Sequence, residues 1–244
     1  MDIIAHRGNM SVSPENTLSA FQSALDVEAD MMELDVQLTR DGQVVVVHDE
    51  WLGRTLPGEG KIGEMTLAEI QGLDAGRWFD PAFAGERAPS LGEVLSLLRA
   101  GQTKLNVELK TNRYPYPGLV ERVVALVREA DMVERVVLAS FNHKTLLEVR
   151  QQAPEISCAA LVEIQLAEPW EYLLRHGFQA LHAERYVCSA EDVQECHHRG
   201  LAVRVWTVNE QAAAQKMFEM GVDGIITNKP AEMKQWWADW HGSR

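Results

Sequence analysis

The stretch Ile3-Ile4-Ala5-His6-Arg7-Gly8 decides how the rest of the chain is read. Three apolar residues give a short buried-strand signal, and a histidine, an arginine and a single glycine follow at once. An open, doubly wound sheet usually carries a Gly-x-Gly-x-x-Gly phosphate loop after its first strand. This chain has none there. A first strand that runs straight into ionisable residues fits a (β/α)8 barrel, whose chemistry gathers at the C-terminal ends of the strands.

The same alternation continues outward from that strand. Short β-branched or aliphatic runs recur at residues 32–36, 104–109, 135–139, 157–161, 179–182, 202–206 and 224–227, which with 3–5 makes eight. Helix-patterned stretches lie between them at 17–27, 91–99, 119–129, 144–152, 190–199 and 211–220, and a closing helix runs from Pro230 toward Trp240. Ser90 with Glu93 and Ser189 with Asp192 read as capping boxes, and Asn209 as a cap before Glu210. Strand–helix alternation of this length predicts a parallel sheet closed as a TIM barrel, with residues 1–244 as one domain. An extra strand is expected at 44–47. After it, residues 51–90 carry seven glycines and three prolines and predict an insertion between the second and third barrel strands. One short helix is expected there, opened by Thr66 with Glu69. Insertions of this length are often binding elements.

The chain has 244 residues, 36 acidic and 23 basic, for a formal charge of −13. That balance argues against nucleic acid, which needs a basic face, and against stable association with anionic membranes. Three isolated cysteines, no secretory leader pattern and no long apolar run are expectations for a cytoplasmic protein.

Ionisable residues accumulate at the predicted strand ends. Glu33 and Asp35 are two apart on a strand and share one face. Glu108 comes from the next barrel strand. Three carboxylates from neighbouring strand ends suit a hard cation such as Mg²⁺ or Ca²⁺, and an outward-facing salt-bridge network is the competing reading. His6 and His48 each close a strand-like run and are candidates for proton transfer. Arg7 and Lys110 suit an anionic group, or else pair with the carboxylates beside them. His182 allows either a polar contact to substrate or a structural role.

His6-Arg7-Gly8, Pro14-Glu15-Asn16-Thr17, Glu33-Leu34-Asp35-Val36, Asp41-Gly42, His48-Asp49, Glu108-Leu109-Lys110, Ser140-Phe141 and Trp206-Thr207-Val208-Asn209 stand in one order. That order resembles the glycerophosphodiester phosphodiesterases, most closely the short cytoplasmic bacterial members, from residue 3 to about residue 230. The resemblance implies a TIM-barrel hydrolase that cleaves glycerophosphodiesters to glycerol 3-phosphate and an alcohol. It implies Glu33, Asp35 and Glu108 as ligands of one divalent metal ion, Mg²⁺ or Ca²⁺, and His6 and His48 as the acid–base pair. Arg7 and Lys110 would contact phosphate, and Phe141 and Trp206 would wall a glycerol pocket. One departure is visible: Thr227-Asn228-Lys229-Pro230 stands where members often have Thr-Asp-x-Pro. Asn228 is read as structural there.

Two other function classes compete. One is a phospholipase D-like or lysophospholipase D-like hydrolase on the same barrel, for which Trp236, Trp237 and Trp240 would supply an interfacial surface. Their spacing also fits a terminal helix packed on the barrel. The other is a non-catalytic phosphodiester-binding barrel, against which the intact histidines and carboxylates argue. Cys196-His197-His198 does not have the spacing of a zinc site.

Overall fold

The computed structural model describes residues 1–242. Among them, β1 (Asp2–Ala5), β2 (Met31–Leu38), β4 (Lys104–Leu109), β5 (Val136–Ser140), β6 (Ser157–Val162), β7 (Ala180–Glu184), β8 (Ala202–Trp206) and β9 (Gly224–Thr227) pair in parallel, each with the next. The ring closes on both sides of β1, through Ala5 opposite Thr227 and Ala5 opposite Met32. This is the TIM barrel expected from the alternation. β3 (Val44–Val46) lies outside the ring, antiparallel to β2, with Val46 opposite Val36.

Helices α1 (Leu18–Asp26), α2 (Leu67–Gln71), α3 (Leu91–Leu98), α4 (Leu119–Glu129), α5 (His143–Gln152), α6 (Pro169–His176), α7 (Ala190–His198), α8 (Gln211–Met220) and α9 (Pro230–Gly242) complete the element order. The predicted capping boxes form at Thr66 and Glu69, Ser90 and Glu93, and Ser189 and Asp192. The expected cap at Asn209 does not. Glu210 holds the cap position of α8 without a side-chain bond. Asn209 Oδ1 instead accepts from the Asn228 amide at 2.8 Å and the Thr227 hydroxyl at 3.1 Å, tying the β8 and β9 exits together. The sequence reading also lacks α6. Its buried face is only Pro169, Trp170 and Leu173, and no capping side chain marks its start.

Between β2 and β4 the insertion contains α2 and two single 3₁₀ turns, at Ile62–Glu64 and Pro81–Phe83. It packs its own small core of Val45, Val47, Leu56, Ile62 and Ile70. The main core lies between barrel and helices. The barrel interior is narrower and takes small residues, Ala139, Ala159 and Ala180, beside Ile4, Met31 and Ile226. α9 docks through its tryptophans: the Phe218 ring lies 4.9 Å from Trp237 and 5.6 Å from Trp240. The aromatic tail is therefore packed on the body of the protein. No helix among the described residues is long and apolar enough to cross a membrane.

Candidate active site

β2 alternates faces, so Glu33 and Asp35 both point into the barrel. Strand register brings the third carboxylate: Asp35 lies directly opposite Glu108 on β4, and Glu33 opposite Asn106. Glu33, Asp35 and Glu108 are 4%, 1% and 8% exposed, and each offers an oxygen within 4.8 Å of the others. Crowding of this kind is unfavourable without a cation. Burial, then Asp35 and Glu108, push the Glu33 carboxyl well above the usual carboxylate range. Burial and Asp35 push Glu108 up as well. Asp35 goes the other way. Burial opposes its ionisation, but Arg7, Lys110, His48 and the Asn16 amide together hold it low.

Two carboxylate oxygens, Asp35 Oδ1 and Glu108 Oε1, are buried without a well-aligned hydrogen bond. Lys110 Nζ approaches them at 3.7 and 3.0 Å as a point charge. Arg7 and Lys110 leave one net negative charge against three carboxylates. Hard oxygen donors, mutual repulsion and two buried oxygens without directed donors fit a divalent cation, with water and substrate oxygens completing its shell.

His6 and Arg7 leave β1 through a tight turn. Arg7 has φ of +53°, a conformation disfavoured outside glycine. Its amide donates to Glu33 Oε2 at 2.9 Å, and its carbonyl accepts from the Asn16 amide at 2.9 Å, which hold the turn. Gly8 follows at φ +81°, and a Cβ there would lie 2.7 Å from Ala20, so only glycine lets α1 approach. The Arg7 guanidinium donates to Glu15 at 2.8 Å and lies 3.3 Å from Asp35.

The two histidines have different partners. His6 Nδ1 faces Asn228 Oδ1 at 2.7 Å. An amide oxygen only accepts, so this nitrogen carries the proton and Nε2 keeps its lone pair. Burial and the adjacent Arg7 lower its pKa to about 4. Asn228 is thus more than structural: it orients His6. His48 Nδ1 faces the Asp49 carboxylate at 2.7 Å. Asp49 in turn accepts from Arg54, which also binds Glu15 through two nitrogens at 2.7 Å. The His48 turn is fixed from below, where Gln37 Nε2 donates to the carbonyls of Val47, His48 and Asp49 at 2.9–3.2 Å.

His6, Arg7, Glu33, His48, Glu108, Lys110, Phe141 and Trp206 line one cavity of about 250 Å³. Of the nine site residues predicted from sequence, only Asp35 does not line it; it sits beneath the others. Phe141 and Trp206 meet edge to face at 5.5 Å and form the apolar side. His182 lies away from this cavity, fully buried in β7 with Nε2 3.4 Å from Arg204, so the substrate-contact reading of it falls. Sequence reasoning gave no role to Gln37, Arg54 or Glu15. Gln37 was findable, because it continues the inward Glu33, Asp35 alternation with a third polar residue.

Residues 6–232 match the glycerophosphoryl diester phosphodiesterase family. A glycerophosphodiester phosphodiesterase of Caldanaerobacter subterraneus is 42% identical over 93% of this chain and 94% of its own. The crystal structure of a glycerophosphodiester phosphodiesterase from Agrobacterium tumefaciens shares 32% identity with a TM-score of 0.83, over 95% of this chain and 97% of that one. An Oleispira antarctica phosphodiesterase, solved with the product sn-glycerol-3-phosphate, superposes with a TM-score of 0.90 at 28% identity, over 98% and 97% of the two chains. By family match, by close relatives over nearly its whole length and by fold, this chain belongs to the glycerophosphoryl diester phosphodiesterase family.

Proposed function

We propose that this chain hydrolyses glycerophosphodiesters to glycerol 3-phosphate and an alcohol, with one divalent metal ion, Mg²⁺ or Ca²⁺, at Glu33, Asp35 and Glu108. The observation that carries this reading is the cluster itself: three buried carboxylates within 4.8 Å, facing a cavity shared with two histidines and two cations. The product held by the Oleispira relative supports the choice of substrate. When bound, the cation would supply Lewis-acid neutralisation of phosphate charge.

The remaining chemistry belongs to side chains. Lys110 sits beside the carboxylates as a buried point charge for a phosphate oxygen. Arg7 is pinned by Glu15 and Asp35, so it presents a fixed guanidinium edge that needs no reorganisation. His6, neutral with its Nε2 lone pair free, accepts the proton of the attacking hydroxyl, whether from water or from the glycerol itself. His48, oriented by the Asp49 carboxylate at its Nδ1, gives a proton to the leaving alkoxide. Phe141 and Trp206 receive the carbon face of the glycerol. The acidic surface suits a small substrate taken from the cytoplasm rather than a nucleic acid or a bilayer.

A coupled glycerol 3-phosphate assay tests this. Turnover of a glycerophosphodiester in Mg²⁺ or Ca²⁺ that EDTA abolishes is the expected result. Full turnover in EDTA removes the metal, and no turnover of any glycerophosphodiester removes the substrate class.

A further inference from the structure

The cavity that faces the carboxylates opens sideways. A second cavity of about 550 Å³ adjoins it, and Phe141, Leu161 and Glu163 line both. Tyr172 and Ile164 line the second cavity alone, and Tyr172 is held there by its hydroxyl, 2.8 Å from His143 Nδ1. Glu163 directly follows β6 and is exposed. Among the described residues it forms no hydrogen bond or ion pair. The other two carboxylates lining the first cavity are engaged, Glu33 by the Arg7 amide and Glu108 by Lys110. Arg113 lines only the second cavity and makes no ion pair with Glu163.

We propose that the wall shared by the two cavities receives the leaving alcohol and that Glu163 selects alcohols bearing an ammonium, a quaternary one best. The inference rests on the hydrolysis proposed above. If the phosphate lies against Lys110 and the glycerol against Trp206, the ester's other arm must leave through the shared wall. In an aminoethanol-type head group the nitrogen stands two carbons beyond the ester oxygen. That reach ends at the shared wall, beside Glu163, and not out along the second cavity where Arg113 would repel it. The wall has the composition such a cation needs: a carboxylate for charge, the Phe141 ring for the polarised methyl groups and Leu161 for their apolar surface. A neutral polyol head group can donate hydroxyls to Glu163 but gains no charge pairing there.

Calorimetric binding to the Mg²⁺-loaded His48→Ala protein separates the contact from turnover. Glu163→Gln in that background should weaken glycerophosphocholine about three- to fivefold, the upper range of an exposed ion pair, and leave glycerophosphoglycerol within about twofold. Glu163→Lys should weaken glycerophosphocholine further and strengthen glycerophosphoglycerol. A change below about twofold for glycerophosphocholine, or an equal loss for both diesters, overturns the assignment. Because no turnover is needed, failure of the hydrolysis assay and failure of Glu163 to discriminate are separate results.

Discussion

The two sides of the barrel mouth are built from opposite materials. The β1–β4 side carries His6, Arg7, Glu33, Asp35, His48, Glu108 and Lys110, nearly all buried or half-buried. The β5–β8 side carries Phe141, Leu161 and Trp206, with Glu163 just past β6 as its carboxylate. Both sides are strand ends of one sheet with the same backbone geometry. The charged side is linked through side-chain partners, from Arg7 to Glu15 to Arg54 to Asp49 to His48, so a change at one residue is felt at several. The apolar side is held by packing, and its residues should act independently. On the proposed chemistry, the contrast separates a side that would handle phosphate charge and protons from one whose Phe141, Leu161 and Trp206 would hold carbon.

The sharpest way to break that contrast is to remove a histidine. His6→Ala and His48→Ala should each lower turnover by about 10²–10⁴ while substrate still binds. Near-normal kcat in either variant would end its role. Next in size, Asp35→Ala should weaken metal binding by about 100-fold or more in a calorimetric titration, since it removes a ligand where orienting groups alone count for about 10–100-fold. Unchanged affinity would move the metal elsewhere. Arg54→Ala should lower kcat by roughly tenfold, because Asp49 and Glu15 lose a shared partner. The same variant should leave KM nearly constant, and a pure KM effect would make Arg54 a substrate contact. On the apolar side, Trp206→Ala should raise KM more than it lowers kcat, by about five- to tenfold for one lost aromatic contact. The reverse pattern would place Trp206 in the chemical step.

The smallest effect has an unexpected sign. Glu33→Gln keeps an acceptor for the Arg7 amide but relieves the crowding of three carboxylates. In EDTA at neutral pH it should stabilise the protein by about 1 kcal/mol, roughly 2–4 °C in Tm. Because the folded-state pKa of Glu33 is raised, its ionised form penalises the fold above that pKa, and the penalty vanishes below the unfolded value of about 4.3. The gain should therefore shrink in acid. With Mg²⁺ the order should invert, since only the unmodified cluster gains by ligand linkage. A loss of stability in EDTA would mean that the carboxylates are satisfied without a cation.

Much of this site was legible in the sequence because barrel strands report their own facing. Glu33 and Asp35, two apart in an apolar run, had to share a face, and β4 supplied Glu108 opposite. Register itself was not legible, so the close pairing of Asp35 with Glu108 emerged only from the folded sheet. Asn209 illustrates a local rule overridden by tertiary contact: a residue with good capping chemistry serves the β9 exit instead. Asn228 likewise looked structural until the fold set it against His6. Helix α6 was missed because it spans only eight residues and no capping side chain marks its start.

Gln37 donates to three successive carbonyls of the His48 turn, and its own oxygen accepts from the Tyr116 hydroxyl at 2.8 Å. The anchor for that turn is therefore a barrel strand, not the forty-residue excursion that begins immediately after it. Such an attachment decouples two design problems. The hydrogen bonds that aim the imidazole come from β2 and Asp49, while the excursion buries the residues beside the turn by packing Ile62 and Ile70 with Val45 and Val47. Exposed positions of the excursion are free to diversify, and the residues it buries against β3 are not.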